Sequence, residues 1–446
     1  MQTFDVVIAG GGMSGVLAAV QLINSKQNLK IHVLEAEKTC GGRLRSSRRD
    51  HNRWGFGLNS LSPDLCDFLT TSVSKIYPEW SMQDYLVERH NQAGYCSGGK
   101  VSRFELSDMF RVSGVKAMGG RNAGKEWEDT EPLLFADSKK DPFESVSKAL
   151  DLKRSGASGT ILTEIAKASG IPDVWNAPLE LLRNKASNPC RTYGYFDDLL
   201  EDTMDLLAND QWISLARHCR LVDLKKEGDL WILQTEQGPI ATKEVVIAHN
   251  PWAATSTIAR DITPVAVSNI ALKAKPVSIV ALSTQIIGGT LDLDFIMIAS
   301  EEARAIKHGD VLTLQATIDY EMSLDAPEVV KAVKRLKRAA KKLAQYFEGL
   351  ELAGEFIGLI PEAWTQPTNT SDHKFIQRMK NGHGSGLSFV GDAYGTSYDG
   401  DLNIISSVEQ LSEYIKVGPI DTKTSSLHFV PNTALEVANR PAPELE

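Results

Sequence analysis

The sequence predicts an α/β fold that opens with a Rossmann-type nucleotide-binding unit. Three observations carry that prediction. Residues 4–9 form a buried-strand run, Gly10, Gly12 and Gly15 follow at G-x-G-x-x-G spacing, and a second strand-like run at 31–34 ends in Glu35. Each glycine has a separate physical reason. Gly10 permits the tight turn, Gly12 lets a pyrophosphate approach the backbone, and Gly15 lets the following helix pack close to the strand. The helix is expected over 16–23, so Met13 and Ser14 with Gly15 lie at its N-terminus, where unpaired N–H groups and the macrodipole favour phosphate. Glu35 lies twenty residues after Gly15, placed to accept hydrogen bonds from a ribose diol.

The next segment, 40–46, reads Cys-Gly-Gly-Arg-Leu-Arg-Ser. Its Gly41-Gly42-Arg43 resembles the G-G-R segment of the flavin-containing amine oxidase family, two-domain FAD enzymes that include protoporphyrinogen oxidases and carotenoid desaturases. The resemblance implies that the two glycines bring the backbone against FAD and that Arg43 lies beside it, near the diphosphate and flavin. Three strand-like runs at 221–224, 231–235 and 244–251 follow the family's order, and Leu221 takes the adenine-contacting position. Further on, 387–392 is a strand ending in Gly391-Asp392, which resembles the family's second cofactor strand; Asp392 inherits a bond to a ribityl hydroxyl. Leu402 and Asn403 are expected to open a helix running to about 415, whose N-terminal N–H groups stabilise negative charge on a reduced flavin. The family's usual Gly-Ala and Ser-Gly are here Leu402-Asn403 and Ser406-Ser407. The resemblance thus implies a Rossmann-type FAD-binding domain built from 1–75, 190–260 and 380–416. It is interleaved with an α+β substrate domain at 76–189 and 261–379, and followed by a tail at 417–446.

Composition agrees with a soluble enzyme. The 446 residues suffice for two domains, and 42% hydrophobic and 24% charged residues are ordinary for globular chains. A net charge of −9 argues against general nucleic-acid affinity, and no apolar run nears a membrane span. There is no basic-then-apolar leader, and five scattered cysteines give neither a disulfide framework nor a metal-ligand spacing. These features lead us to expect a reduced, cytoplasmic protein acting on a small molecule, with its oligomeric state open. Between 96 and 190 nothing resembles a known pattern, and 119–122 and 156–159 read as loops. The lysines and arginines between 331 and 342 crowd a helix whose apolar residues Val329, Val333, Leu336, Ala340, Leu343 and Phe347 step by four and three. One face is therefore core, and the basic residues line its solvated side.

For catalysis, many family members carry a lysine that holds a water at the reactive flavin nitrogen. The matching candidate is Lys275, ahead of an apolar run at 276–282, with Lys273 on the same side of an extended segment and a surface role as the competing reading. Asn59 stands near the position where L-amino-acid oxidases carry a carboxylate-pairing arginine, so bidentate carboxylate recognition is not expected. No cysteine follows Cys219, so the FAD is expected to be non-covalent. Tyr394, Tyr398 and Trp364 are candidates either for an aromatic wall or for packing. Three functions stay open: an FAD oxidase of an amine or amino-acid-derived substrate, a desaturase or dehydrogenase acting on a C–C bond of a tetrapyrrole, terpenoid or secondary metabolite, and an FAD-binding homologue with a structural role.

Overall fold

The structure is a computed structural model that describes residues 1–25, 28–44, 46–49, 52–55, 60–87, 91–135, 144–169, 171, 173–187, 192–251, 254, 277–364, 376, 386–395 and 399–415. Two seven-stranded sheets organise it.

The first sheet is built around strand Gln2–Ala9, which pairs in parallel with Ile31–Leu34 on one side and with Gly238–Ile247 on the other. Ile213–Ala216 extends the Ile31–Leu34 edge in parallel. Leu221–Glu227, Leu230–Thr235 and Gly238–Ile247 form an antiparallel meander, and Leu387–Phe389 adds in parallel to the far end of Gly238–Ile247. Alternation along the central strand explains its unbroken apolar run. Val6 and Ile8 pack with Val16, Leu17 and Val20 of helix Met13–Asn24, whereas Val7 and Ala9 pack with Leu221, Trp231 and Tyr394 on the opposite face. A strand covered on both faces has no solvent side to mark with polar residues. Helices Pro63–Ser74, Phe196–Asn209 and Gly400–Glu409 complete the first face, with Leu65, Leu69, Leu199, Met204, Ile404 and Val408 in one core.

The second sheet runs Glu351–Trp364, Val277–Gly288, Val311–Asp319, Ala303–His308, Phe295–Ile298, Gln92–Ser97 and Lys100–Glu105 in spatial order. Its two faces are also both covered. Tyr95, Phe104, Phe295, Met297 and Ile306 face a helical layer drawn from 106–187, and Cys96, Ile296, Ile298, Leu312 and Leu314 face helix Pro327–Tyr346. The two stretches expected as loops between 96 and 190 turn out to serve helices. Gly120 (φ +79°) is a break within helix Val112–Trp127, and Gly156 is the N-cap of helix Ala157–Ala168. Glycine supplies both a left-handed backbone and a tolerated cap, so composition alone misread them.

The basic helix buries Val329, Ala332, Leu336, Ala339 and Leu343, while Val333 and Ala340, expected inside, are half-buried. The narrower stripe follows from packing against one sheet. Its cations meet acids on the solvated side: Arg338 and Lys342 with Glu301, Arg335 with Glu302, and Lys337 with Glu355. No described helix is long and apolar enough to cross a membrane.

Candidate cofactor site

The glycine loop sits where strand Gln2–Ala9 meets helix Met13–Asn24, and its glycines are required for different reasons. Gly10 (φ +116°) is left-handed, and a Cβ there would come within 3.0 Å of the Ala248 carbonyl oxygen. A Cβ on Gly15 would collide with the Gly10 carbonyl oxygen, so helix and loop approach as closely as backbones allow. Gly12 differs. Its backbone is extended (φ −80°, ψ −173°), and a Cβ would first meet Gly42 Cα at an ordinary 3.6 Å. The protein itself does not demand glycine at this position. The helix that starts at Met13 and Ser14 has no side-chain cap and no acidic residue in its first turn. Such an N-terminus is suited to an anion.

Glu35 follows the second parallel strand and is buried. Its carboxylate accepts from the backbone N–H of Gly11 (2.8 Å) and of Glu37 (2.8 Å), tying the acid to the glycine loop. The Cys40-Gly41-Gly42 turn then passes beneath that loop. Gly41 N–H donates to the Gly11 carbonyl (3.0 Å), and Gly42 (φ +60°) would place a Cβ 3.2 Å from Gly12 Cα. Left-handed geometry and close backbone approach both select glycine at Gly42.

Arg43 is the next residue, and its Nη1 donates to Asp392 Oδ2 at 2.9 Å, a partly buried ion pair joining positions 349 residues apart. The two motifs named from opposite ends of the chain thus meet. Around Asp392 the chain is held by local bonds. Val390 N–H donates to the Ile247 carbonyl, Gly391 N–H to Ser407 Oγ, and the Asn403 amide to the Asp392 carbonyl (2.7 Å). Asn403, only 2% exposed, is therefore a fastener of this turn. Leu221 is buried with Val7, Ala9, Leu34 and Cys219, and Cys219 N–H donates to the Glu35 carbonyl.

The C-terminal helix departs from expectation. It spans Gly400–Glu409, not starting at Leu402, and a separate short turn covers Leu411–Tyr414. Asp399 is its N-cap, and its carboxylate accepts from the N–H groups of Asp401 (3.0 Å) and Leu402 (3.1 Å). Aspartate is among the best N-caps, and the Asp399-Gly400-Asp401 run carried that signal. Two of the first-turn donors, on Asp401 and Leu402, are thus engaged by a carboxylate within the chain. Asp401 Oδ2 accepts from Ser62 N–H (2.8 Å), anchoring this helix start to helix Pro63–Ser74. Leu402 is 45% exposed.

Tyr394 belongs to the packing. It is buried against Phe389, its hydroxyl donates to the His249 carbonyl (2.9 Å), and burial holds its phenol well above the usual range. His249, at the turn after strand Gly238–Ile247, is lowered to about 4 by desolvation and is neutral at physiological pH. Lys275, Lys273, Asn59 and Tyr398 lie outside the described residues, as does the side chain of Trp364. Trp54 was not anticipated. It lies on the hairpin Ser46–Arg49/Asn52–Gly55 just after Arg43, stacks on Phe356 (6.4 Å between centroids) and fills the space beside Gly354. It thereby docks the segment after Arg43 onto the second sheet. Among the described residues no cluster of side chains suits a metal ion.

Residues 8–64 match the family of NAD(P)-binding Rossmann-like domains. Solved structures match over nearly the whole chain. A structure described as a protoporphyrinogen oxidase of Exiguobacterium sp. 255-15 superposes with a TM-score of 0.64 at 16% identity, covering 92% of this chain and 99% of that one. An oxidoreductase of Methanosarcina mazei gives 0.63 at 14%, covering 91% and 100%. A putrescine oxidase with putrescine bound gives 0.62 at 15%, covering 92% and 98%. The chain thus shares an α/β fold with these structures over nearly its whole length and opens on a Rossmann-like nucleotide-binding unit.

Proposed function

We propose that the protein is an FAD-dependent oxidoreductase of the amine-oxidase type, oxidising an amine or amino-acid-derived small molecule by hydride transfer to non-covalent FAD. The observation that carries this reading is the Arg43–Asp392 pair at 2.9 Å, which closes the Gly41-Gly42 turn and the Gly391-Asp392 turn around one glycine loop. The residues present fit the group: Gly12 leaves room that its own fold does not require, beside an uncapped helix N-terminus. FAD supplies a two-electron acceptor that side chains lack.

The chain's own residues then have separate tasks. Gly12, Met13, Ser14 and Gly15 hold the diphosphate at the helix N-terminus. Glu35 accepts from the adenosine ribose while keeping the Gly11 N–H bond, and Leu221 lies against the adenine. Arg43 neutralises diphosphate charge and holds the Asp392 carboxylate, which accepts from a ribityl hydroxyl. Asn403 keeps that turn in place, with Leu402 beside it. Lys275 remains the candidate for a flavin-side lysine.

Absorption of the purified protein before and after acid precipitation tests the cofactor. Flavin bands released to the supernatant support non-covalent FAD; a colourless protein that takes up no added FAD rejects it. A second reading, oxidation of a C–C bond in a tetrapyrrole, terpenoid or secondary metabolite, is favoured by the neighbour described as a protoporphyrinogen oxidase. Anaerobic bleaching by amines against such compounds, with peroxide followed under air, separates the two. A flavin that no compound in either class bleaches points to the structural role.

A further inference from the structure

We infer that Glu201 is a positioning residue for the cofactor, acting through Cys40 and Arg217; the inference rests on the FAD reading above. Glu201 lies on helix Phe196–Asn209, 161 residues from Cys40. One carboxylate oxygen accepts from the backbone N–H of Cys40, the residue immediately before Gly41-Gly42. The other accepts from Arg217 Nη2 at 2.8 Å.

Arg217 directly follows strand Ile213–Ala216, and the two residues after it bond to the Glu35 segment: His218 N–H donates to the Glu37 carbonyl and Cys219 N–H to the Glu35 carbonyl. Glu201 therefore grips two chain segments that leave adjacent parallel strands, Ile31–Leu34 and Ile213–Ala216, and that enclose Glu35 between them. Asp205, one helical turn on, also accepts from Arg217 but makes no contact with the Cys40 turn among the described bonds. Burial pushes the Cys40 thiol far up, and the facing carboxylates of Glu201 and Glu35 add to that shift. Both acids thus converge on one buried residue beneath Gly11, whose own Cβ would meet Cys40 Sγ and Glu35 Oε2. The consequence is a fixed height for the Gly41-Gly42 crossing under Gly12, and hence for the floor on which a diphosphate rests.

The test uses apoprotein of the full chain, FAD titrated in and followed by fluorescence quenching, with the melting temperature of the same samples recorded. Glu201→Gln keeps shape and one acceptor; Glu201→Ala removes both; Asp205→Asn is the control that weakens Arg217's anchorage alone. Positioning predicts a rise in the FAD dissociation constant of at least tenfold for Glu201→Ala, a smaller rise for Glu201→Gln, and less than threefold for Asp205→Asn. It also predicts that Glu201→Gln apoprotein stays fully folded at the titration temperature. FAD affinity within twofold of wild type for both Glu201 variants overturns the inference. So does a loss that merely tracks the unfolded fraction. Wild-type protein that binds no FAD refutes the cofactor reading itself, and the positioning role falls with it, a result distinct from variant and wild type binding alike.

Discussion

Gly12 and Gly15 lie three residues apart in one motif, yet alanine at each should fail for opposite reasons. At Gly12 the backbone (φ −80°, ψ −173°) is open to any residue, and the added methyl meets only Gly42 Cα at 3.6 Å. The cost to the apoprotein is that of alanine in place of glycine at an N-cap, roughly 0.5–1 kcal/mol. In a chain of this size that moves the melting temperature by no more than about 3 °C. On the FAD reading proposed above, the same methyl stands where the diphosphate meets the backbone. A hundredfold loss of FAD affinity, about 2.7 kcal/mol, is the expected outcome. At Gly15 the methyl would overlap the Gly10 carbonyl oxygen, and relief requires helix Met13–Asn24 to withdraw from the strand. Overpacking of this kind costs about 3 kcal/mol or more, with or without cofactor. Melting of each apoprotein, followed by FAD titration of whichever variant is folded, separates the two effects. A Gly12→Ala protein that binds FAD as tightly as wild type would refute the argument, and so would one whose apoprotein is as unstable as Gly15→Ala.

Three further outcomes follow from the same geometry. Arg43→Met should raise the FAD dissociation constant roughly tenfold, about 1.4 kcal/mol, since it removes a cation and leaves Asp392 (15% exposed) without its 2.9 Å partner; titration at two salt concentrations should show a shallower salt dependence in the variant. Asp399→Ala removes the cap of helix Gly400–Glu409 and should cost about 1 kcal/mol, read by chemical denaturation, whereas Asp399→Ser should restore most of it. Burial lowers His32 and His308 to about 4, below the 6.5 of an unfolded imidazole. Between those values the unfolded chain binds protons that the folded chain refuses, so stability is full above pH 6.5 and falls as pH drops toward 4. The loss approaches about 3 kcal/mol per imidazole. His32→Phe, which keeps a ring stacked on Phe4, should flatten part of that fall in a melting series; an unchanged pH profile would refute the assignment.

The nucleotide-binding unit was legible because its signals are local. The strand at 31–34 was read to the residue, since a short apolar run between turn residues has few alternatives. Gly41, Gly42, Arg43 and Asp392 were singled out through resemblance, and the 2.9 Å ion pair shows that these distant motifs meet. The second sheet was not legible. Its strand Gln92–Ser97 forms a local hairpin with the edge strand Lys100–Glu105 but joins the sheet through Phe295–Ile298, some 200 residues later, and nothing in a short apolar run declares a partner at that distance. The helix starts at Gly400 and not at the Leu402-Asn403 that the family's pattern marks, because Asp399, a strong capping residue, stands two positions before Asp401.

Glu201 shows where such reading ends. Its spacing to Asp205 places two carboxylates on one helix face, a pattern that solvated helices carry routinely. What makes Glu201 different is the parallel pairing of Ile31–Leu34 with Ile213–Ala216, which brings Cys40 and Arg217 to one strand edge. That register arises only when the whole sheet assembles. On the FAD reading, a floor set in this way is fixed by the fold, as Gly10 and Gly15 are, whereas Gly12 above it answers to the ligand alone. Gly12→Ala should therefore change binding at nearly constant stability, and the Glu201 network should carry a coupling between floor and loop. Measured as a double-mutant cycle, Gly12→Ala and Glu201→Gln should be non-additive in FAD affinity, because both alter the same Gly12–Gly42 crossing. Additive losses would place Glu201 outside the cofactor's support.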